Sequence, residues 1–556
     1  MQRNKWLVLV AALVSVLALA ATGCGGDDEE AAAPPPAETG GAGVEPTPPA
    51  EPAAEQVLKW ALGSDLLLDP QLSTDVTSAK IQTNIFEGLV KLGDDLAPVP
   101  ALAESWDVAG PKVTFHLRQD GTWTNGDPVT ASDFVYAWKR ILSPELGAYY
   151  AYQLWGIKGA LDYNQCKENC EALADAIAVK AVDDYTLEVT LTSEQPWFLQ
   201  QATHNAFLPV HQATVEQFGE KWTEAENIVT NGPFQVESFE PGATIVLVKN
   251  EDWHDAASVA LDRVEGRVIV EGTTAVAAFE AGEVDVLDEQ LPVADTARLK
   301  ETPDYQSNPG LATAYYVFNV KNIPDVNQRR AMSAAVDRKT IVENISQGGE
   351  TPAEGLTPVG MPGFDVINPK SPYTPESGDI DLANELMSKV KDPVKKVTLY
   401  VNDGAGNKEI AVAIQSDWKK IGIDSDIKIL EWQQFLDFIG PPPNEDADVM
   451  RLGWAGDFVD AINFLELMLC DSGNNQSNYC DPEFDSLIEQ AKATPDNDAR
   501  YAIYAQAEQK MFGEDGAFPF LLLYWDTYPN LVRPSVEGFK FNLLDLVDLT
   551  KVSITE

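Results

Sequence analysis

"VTLYVNDGAGNKEIAVAIQSDWKKIGIDSDIKIL", Val397 to Leu430, decides the fold class. Its first run is apolar and β-branched, the composition of a buried strand, and the Gly-rich stretch 403–406 ends it. Ile410, Ile414 and Trp418 then recur at helical spacing on an amphipathic helix, and "IDSDIKIL" begins a second strand. Strand, helix, strand is the unit of a parallel sheet, because a helix must carry the chain back before the second strand can run the same way. The expected class is α/β. The turn is also a broken GxGxxG: Glu409 stands where the third glycine belongs, and no Lys-Ser/Thr follows. It reads as a tight turn into a helix, not as a phosphate loop.

Outward from this unit the same mixture continues. "KVTFHL" (112–117) alternates like a half-buried strand, and "TWTNGDPV" supplies turns. "TASDFVYAWKRIL" has Thr130 as N-cap, Asp133 three residues on, and an apolar stripe of Phe134, Ala137, Trp138 and Ile141. "FQVESFEPGATIVLVKN" is two strands around a Pro-Gly turn.

A chain of 556 residues exceeds one compact core and implies two to four domains. Net charge is −48, and two units more negative without residues 1–23, whose only charges are Arg3 and Lys5. A surface this acidic repels phosphate backbones, so nucleic acid is excluded as a partner; high solubility is its plain meaning. "MQRNKW" followed by the apolar run to Gly23-Cys24 is a signal for export. "AATGC" resembles a bacterial lipobox, with Ala21 where leucine is commoner, which implies a lipid on Cys24 after removal of 1–23. The rival is an ordinary signal peptide with an incidental cysteine. Residues 24–56, rich in Pro, Ala, Gly and Glu, read as a disordered acidic tether, with folded sequence from about Val57. The other four cysteines form two close pairs, Cys166/Cys170 and Cys470/Cys480. An oxidising exterior favours two local disulfides; zinc is the rival, though neither pair has C-x2-C spacing or a nearby histidine.

Catalytic chemistry is hard to find. There are four histidines, with no HExxH, and "SKVK" (388–391) fits S-x-x-K without the SDN or KTG that should follow. The expectation is a binding protein: no enzyme, no cofactor, no metal. "MRLGWAGDFVDAINFLELML" (450–469) supplies a reason, since Asp457 lies between apolar segments and a carboxylate there needs a cation or water.

Five stretches, in order, resemble signatures of one family. They are "TFHLRQDGTWTNGDPVTASDFVYAWKR"; "NGPFQVESFEPGATIVLVKNEDW"; "AAFEAGEVDV"; "YYVFNVKNIPDVNQRRAMSAAVDRKTIV"; and "GWAGDFVDAINFLELML" with "DPEFDSLIEQA". The family is the extracytoplasmic solute-binding proteins of peptide/nickel-type ABC importers, in particular the oligopeptide-binding lipoproteins. The resemblance implies a three-lobed periplasmic-binding-protein-like fold of the large peptide-binding class, with a hinged interdomain cleft. Domain I would comprise 57–86, 206–312 and 528–556; domain II would be an insertion, 87–205; domain III would be 313–527. It implies a monomer that takes an oligopeptide, hands it to membrane permease subunits, and is held by its lipid anchor on the outer face of the cell membrane.

The resemblance also assigns residues. Asp457 would pair with the ligand's α-ammonium group; the backbone around Gly453, Trp454 and Ala455, with Thr74 and Val76 opposite, would pair with its main chain. Trp432 and Tyr150 would line side-chain pockets, and Arg451 would take the ligand carboxylate. A histidine of related proteins aligns with Asn407, a second cationic position near Ile439 has no charge, Glu289 replaces a neutral amide, and Ala455 replaces a cysteine. Each residue has a plainer alternative: Asp457 capping a turn or pairing internally with Arg451, the aromatics packing between lobes. Other readings of the same fold are a dipeptide, oligosaccharide or chelate binder, or a ligand sensor or adhesin.

Overall fold

The Val397–Leu430 unit forms as its sequence requires. Strand Lys396–Asn402 leads through Gly406, at φ +78°, into helix Asn407–Lys420 and then strand Asp424–Leu430. The two strands are parallel, with Val397 beside Ser425 and Val401 beside Ile429. Ile410, Ile414 and Trp418 are buried, and the Trp418 indole N–H donates to the Met332 carbonyl at 2.8 Å. Filling the helix face with large apolar groups is what holds it on the sheet. This computed structural model describes residues 55–288, 291–404, 406–439 and 444–555, without the side chains of 293, 432, 433 and 436. The signal, Cys24 and the tether as far as residue 54 lie outside the described residues, as do Glu289 and the side chain of Trp432.

The unit is one end of an eleven-stranded sheet. Its order is Asp424–Leu430, Lys396–Asn402, Val449–Ala455, Tyr305–Phe318, Phe520–Val532, Val286–Asp288, Val57–Leu62, Arg263–Val268, Thr244–Lys249 and Phe234–Glu240; Thr351–Pro352 also pairs with Phe520–Val532. The last two are the hairpin anticipated at Pro241-Gly242, antiparallel from Phe234↔Lys249 to Glu240↔Thr244. A separate four-stranded sheet contains Lys112–Leu117 at its centre. Helix Ala131–Ile141 contacts two of that sheet's strands and buries Phe134, Ala137, Trp138 and Ile141. Asp133 accepts from the Thr130 backbone N–H (2.7 Å) and hydroxyl (3.1 Å), which closes the helix start. Cys166–Cys170 and Cys470–Cys480 are both bonded, with Cα atoms 5.8 and 4.6 Å apart.

Two strands carry the chain across the large sheet. Tyr305–Phe318 pairs with Val449–Ala455 through its second half, while Phe520–Val532 pairs with Val286–Asp288 through its last residues. The two long strands pair with each other at both ends, Tyr305↔Leu531 to Pro309↔Thr527 and Thr313↔Trp525 to Val317↔Phe520. Between these runs the register shifts, and Gly310, Leu311 and Ala312 oppose the single residue Asp526. Glycine is needed at 310, where a Cβ would meet the Tyr528 ring at 2.8 Å. The hydroxyls of Tyr305, Ser307 and Thr527 converge on the Gly348 carbonyl beside this irregularity, at 3.2, 3.1 and 3.0 Å.

Asp526 is the strained charge of the crossing. Burial, and next the charge of Glu350, push its carboxyl up to about 6, with the Thr527 backbone N–H and Arg451 pulling the other way. The folded protein therefore holds this proton more tightly than the unfolded chain. The resulting stability is present below the ordinary carboxyl range near 4 and is lost as pH rises through about 6. Asp526→Asn, neutral throughout, is expected to be about 1–3 kcal/mol more stable than the parent at pH 7.5 and equal to it at pH 4. Urea unfolding at the two pH values measures this; a gap that persists at pH 4 contradicts it.

Candidate functional site

Strand Val449–Ala455 is paired unequally on its two edges. Tyr305–Phe318 covers one edge throughout, from Val449↔Phe318 to Ala455↔Ala312. Strand Lys396–Asn402 meets the other edge only at Val449 and Met450. From Arg451 to Ala455 that edge has no strand beside it among the described residues, and Gly453 and Ala455 are exposed. Such an edge accepts an extended chain, which satisfies its backbone donors and acceptors without reading side chains. Five residues, with four steps of about 3.3 Å between them, make the edge about 13 Å long.

A charge stands near each end. Past the strand, Asp457 is pinned through its backbone: its N–H donates to Asn463 Oδ1 at 3.2 Å, and the same oxygen accepts from the Trp454 indole at 2.8 Å. Its carboxylate is partly buried, and Oδ2 accepts from the Tyr152 hydroxyl at 2.8 Å, from 305 residues away in sequence. Among the described residues no Lys, Arg or His lies within 4 Å of it. Several other buried carboxylates meet a cation: Asp460 pairs with Arg500 (2.8 Å) and accepts from Tyr504 (2.8 Å), Asp69 pairs with Arg140 (2.6 Å), and Asp288 and Asp545 pair with Lys80 (3.0 and 2.5 Å). Glu508 and Asp526 also lack a cation, but Glu508 accepts from the Thr357 hydroxyl and the Leu356 and Thr357 N–H groups and Asp526 from the Thr527 N–H, whereas the Asp457 carboxylate is met only by the Tyr152 hydroxyl among the described residues.

Tyrosines surround it. Tyr149, Tyr150 and Tyr152, on the turn Tyr149–Leu154, contact one another edge-on or tilted at 5.7–6.2 Å, and Tyr150 packs on His204 at 4.8 Å. Burial first, then the Asp457 charge, raises the phenols of Tyr150 and Tyr152, which therefore keep their protons. Burial lowers His204 against the pull of Asp457, and its Nδ1 accepts from the Ala206 N–H, so the ring stays neutral near pH 7. Asp75 also acts on Tyr150. It caps helix Val76–Ile85 by accepting from the Ser78 N–H at 2.7 Å, and its neighbours Thr74 and Val76 are exposed.

At the other end Arg451 is half-buried, and the one side-chain hydrogen bond it makes among the described residues is a long 3.5 Å contact to Asn402 Oδ1, which also accepts from Asn407 at 3.0 Å. It lines a small cavity with Asn407, Tyr316 and Tyr524, and the buried Tyr316 hydroxyl has no hydrogen-bond partner among the described residues. No carboxylate lies within 4 Å of Arg451 among the described residues, so it is not the internal partner of Asp457. A separate cavity lined by Thr83, Phe86, Trp253 and Val547 contains none of these groups.

The structure thus brings Asp457 and Tyr150 to one end and Arg451 to the other, with Gly453, Trp454 and Ala455 between them; Thr74 and Val76 flank Asp75, whose charge reaches Tyr150. Trp432 opens helix Trp432–Ile439. Tyr152, Asp75, His204 and Asn463 were not singled out by sequence. Tyr152 sits two residues from Tyr150 in "AYYAY", but nothing local says which tyrosine meets Asp457.

A sheet crossed by two shared strands, with an unpaired edge between opposite charges, defines a cleft protein of the periplasmic-binding type. The model of bacterial extracellular solute-binding proteins, family 5 Middle, matches residues 97–476, and the chain belongs to this family. The periplasmic oligopeptide-binding protein OppA of Escherichia coli is 34% identical over 498 residues, which are 88% of this chain and 90% of the relative. The unliganded open form of the periplasmic murein tripeptide-binding protein MppA has a TM-score of 0.79 at 29% identity, over 91% of this chain and 99% of that one. Haemophilus influenzae OppA in complex with RPPGFSPFR has a TM-score of 0.71 at 28% identity, over 91% and 100%. These relatives are binding proteins.

The turn that presents Asp457 depends on Asn463. Asn463→Leu leaves the Trp454 indole N–H without its acceptor and is expected to destabilise the fold by about 1–3 kcal/mol, the loss for a buried donor left unpaired. Urea unfolding at neutral pH measures it, and an unchanged midpoint contradicts the role.

Proposed function

We propose that the protein captures oligopeptides outside the cytoplasm and delivers them to the membrane subunits of an ABC importer, with no turnover of the ligand. The observation that carries this reading is a carboxylate without a protein cation at one end of an unpaired strand edge, with an arginine without a carboxylate at the other. A peptide supplies both missing charges and the missing strand. Its α-ammonium group pairs with Asp457, its main chain with the Arg451–Ala455 edge and with Thr74 and Val76, and its carboxylate with Arg451. The ligand runs antiparallel to the Val449–Ala455 strand. Tyr150 borders its first residue; Trp432 and Glu289 belong to pockets further along. The names of the relatives, which bind oligopeptides or a murein tripeptide, support the class of ligand.

The same reading assigns 57–86, 206–312 and 528–556 to one lobe, 87–205 to an insertion and 313–527 to the facing lobe. The register shift that sets Gly310–Ala312 against Asp526 supports boundaries at 312 and 527. Cys24 would carry the lipid, and the acidic stretch to residue 56 would be its tether.

Native mass spectrometry of the full chain, purified without denaturation, tests the class directly. A ladder of added masses that fragment into short peptides is expected; one non-peptide mass, or a chain that stays empty in a peptide mixture, overturns it. Asp457→Asn, and separately acetylation of the peptide's amino end, should each weaken binding by about 2–5 kcal/mol, the loss for one partner of a buried charge pair. Calorimetry showing no loss in both removes Asp457 from the site. Amidating the carboxyl end should weaken a tetrapeptide about tenfold or more through Arg451, and leave a nonapeptide, too long for both charges, unchanged.

A further inference from the structure

Asp457 is held from two directions by neutral groups. Asn463 fixes its backbone, and the Tyr152 hydroxyl fixes Oδ2 at 2.8 Å, while Oδ1 accepts no hydrogen bond from the described residues. Tyr152 is itself immobilised: its ring contacts Tyr149 at 6.2 Å, Tyr150 at 5.7 Å and Trp155 at 6.4 Å. A side chain already confined by its neighbours loses little freedom when it makes a hydrogen bond. The choice of donor matters more. A lysine or arginine in this place would orient the carboxylate and also cancel its charge. A phenol orients it and leaves the charge whole. His204, the other group that could supply a proton charge nearby, is kept neutral by burial.

We infer that Tyr152 is a positioning and specificity-determining residue: it presents the Asp457 side chain to a ligand's primary amine and so makes the site selective for peptides with a free amino end over blocked ones. This rests on the peptide reading. The proton stays on the phenol oxygen throughout; the ligand ammonium donates to Oδ1 while Tyr152 continues to donate to Oδ2. A carboxylate has room for both, since its two oxygens together accept about four hydrogen bonds. Tyr152 lies in the segment 87–205 and Asp457 in 313–527, so one carboxylate serves both the approach of these segments and the capture of the amine. The selectivity therefore depends on a contact between distant parts of the chain, and not on Asp457 alone.

The test is a calorimetric comparison of trialanine and N-acetyl-trialanine on the full chain and on Tyr152→Phe, Asp457→Asn and the double variant. Phenylalanine keeps the ring packing and removes only the donor. Tyr152→Phe is expected to weaken trialanine about tenfold, as for loss of a hydrogen bond to a charged group, and to leave the acetylated peptide unchanged. In the Asp457→Asn background the same change should have no further effect, because no charge remains to be presented. A packing role would weaken both peptides equally, and that result, or an unaltered affinity for trialanine, overturns the inference. If the parent chain binds neither peptide, the oligopeptide reading itself fails and takes the inference with it; binding of the acetylated peptide by Tyr152→Phe shows that the variant is folded.

Discussion

The antiparallel pairing of Tyr305–Phe318 with Phe520–Val532 is the constraint on which the molecule depends. Each strand serves two halves of the large sheet, so the halves share backbone hydrogen bonds and cannot part, yet the pairing is interrupted where Gly310–Ala312 face Asp526. Regular ladders resist bending because every backbone donor and acceptor is committed; an irregularity concentrates the freedom there. Two carboxylates, Asp526 and Glu350, act on each other beside this point, and burial adds to their repulsion. The crossing is thus both the connection between the halves and the place where electrostatic strain collects.

From that arrangement the site follows. Holding Val449–Ala455 beside the crossing strands, while Lys396–Asn402 diverges after Met450, exposes an edge that a continuous sheet would have covered. The chain carries 87 acidic residues against 39 basic ones, so a lone carboxylate is common on its surface. What distinguishes Asp457 is partial burial among aromatic rings without the ion pair that Asp460, Asp69 and Asp288 each obtain. In a less polar setting each charge counts for more, which makes one without an ion pair costly. The surroundings leave that charge uncancelled: the Tyr152 phenol that hydrogen-bonds to it keeps its proton, as does Tyr150, and His204 stays neutral.

Much of this was legible in the sequence where the cause is local. The strand–helix–strand unit at 397–430, the capped helix after Thr130, the hairpin at Pro241-Gly242 and the two cysteine pairs depend on residues within a few positions of one another, and periodicity or turn chemistry reports them. The family was legible through ordered stretches spread along the chain, and its match over 97–476 agrees. Asp457 stood out because a carboxylate among apolar residues is conspicuous in one dimension.

The tertiary structure alone decided who stands beside Asp457. Arg451, six residues away, was a plausible internal partner by sequence; the extended strand between them separates the two, and each turns to a different set of neighbours. Tyr152 is 305 positions from the carboxylate it hydrogen-bonds, and Asp75 and His204 come from two further segments. Local chemistry determines elements, because hydrogen bonds and apolar spacing act over a few residues. A charge acts through space, and only the folded chain determines which groups share that space.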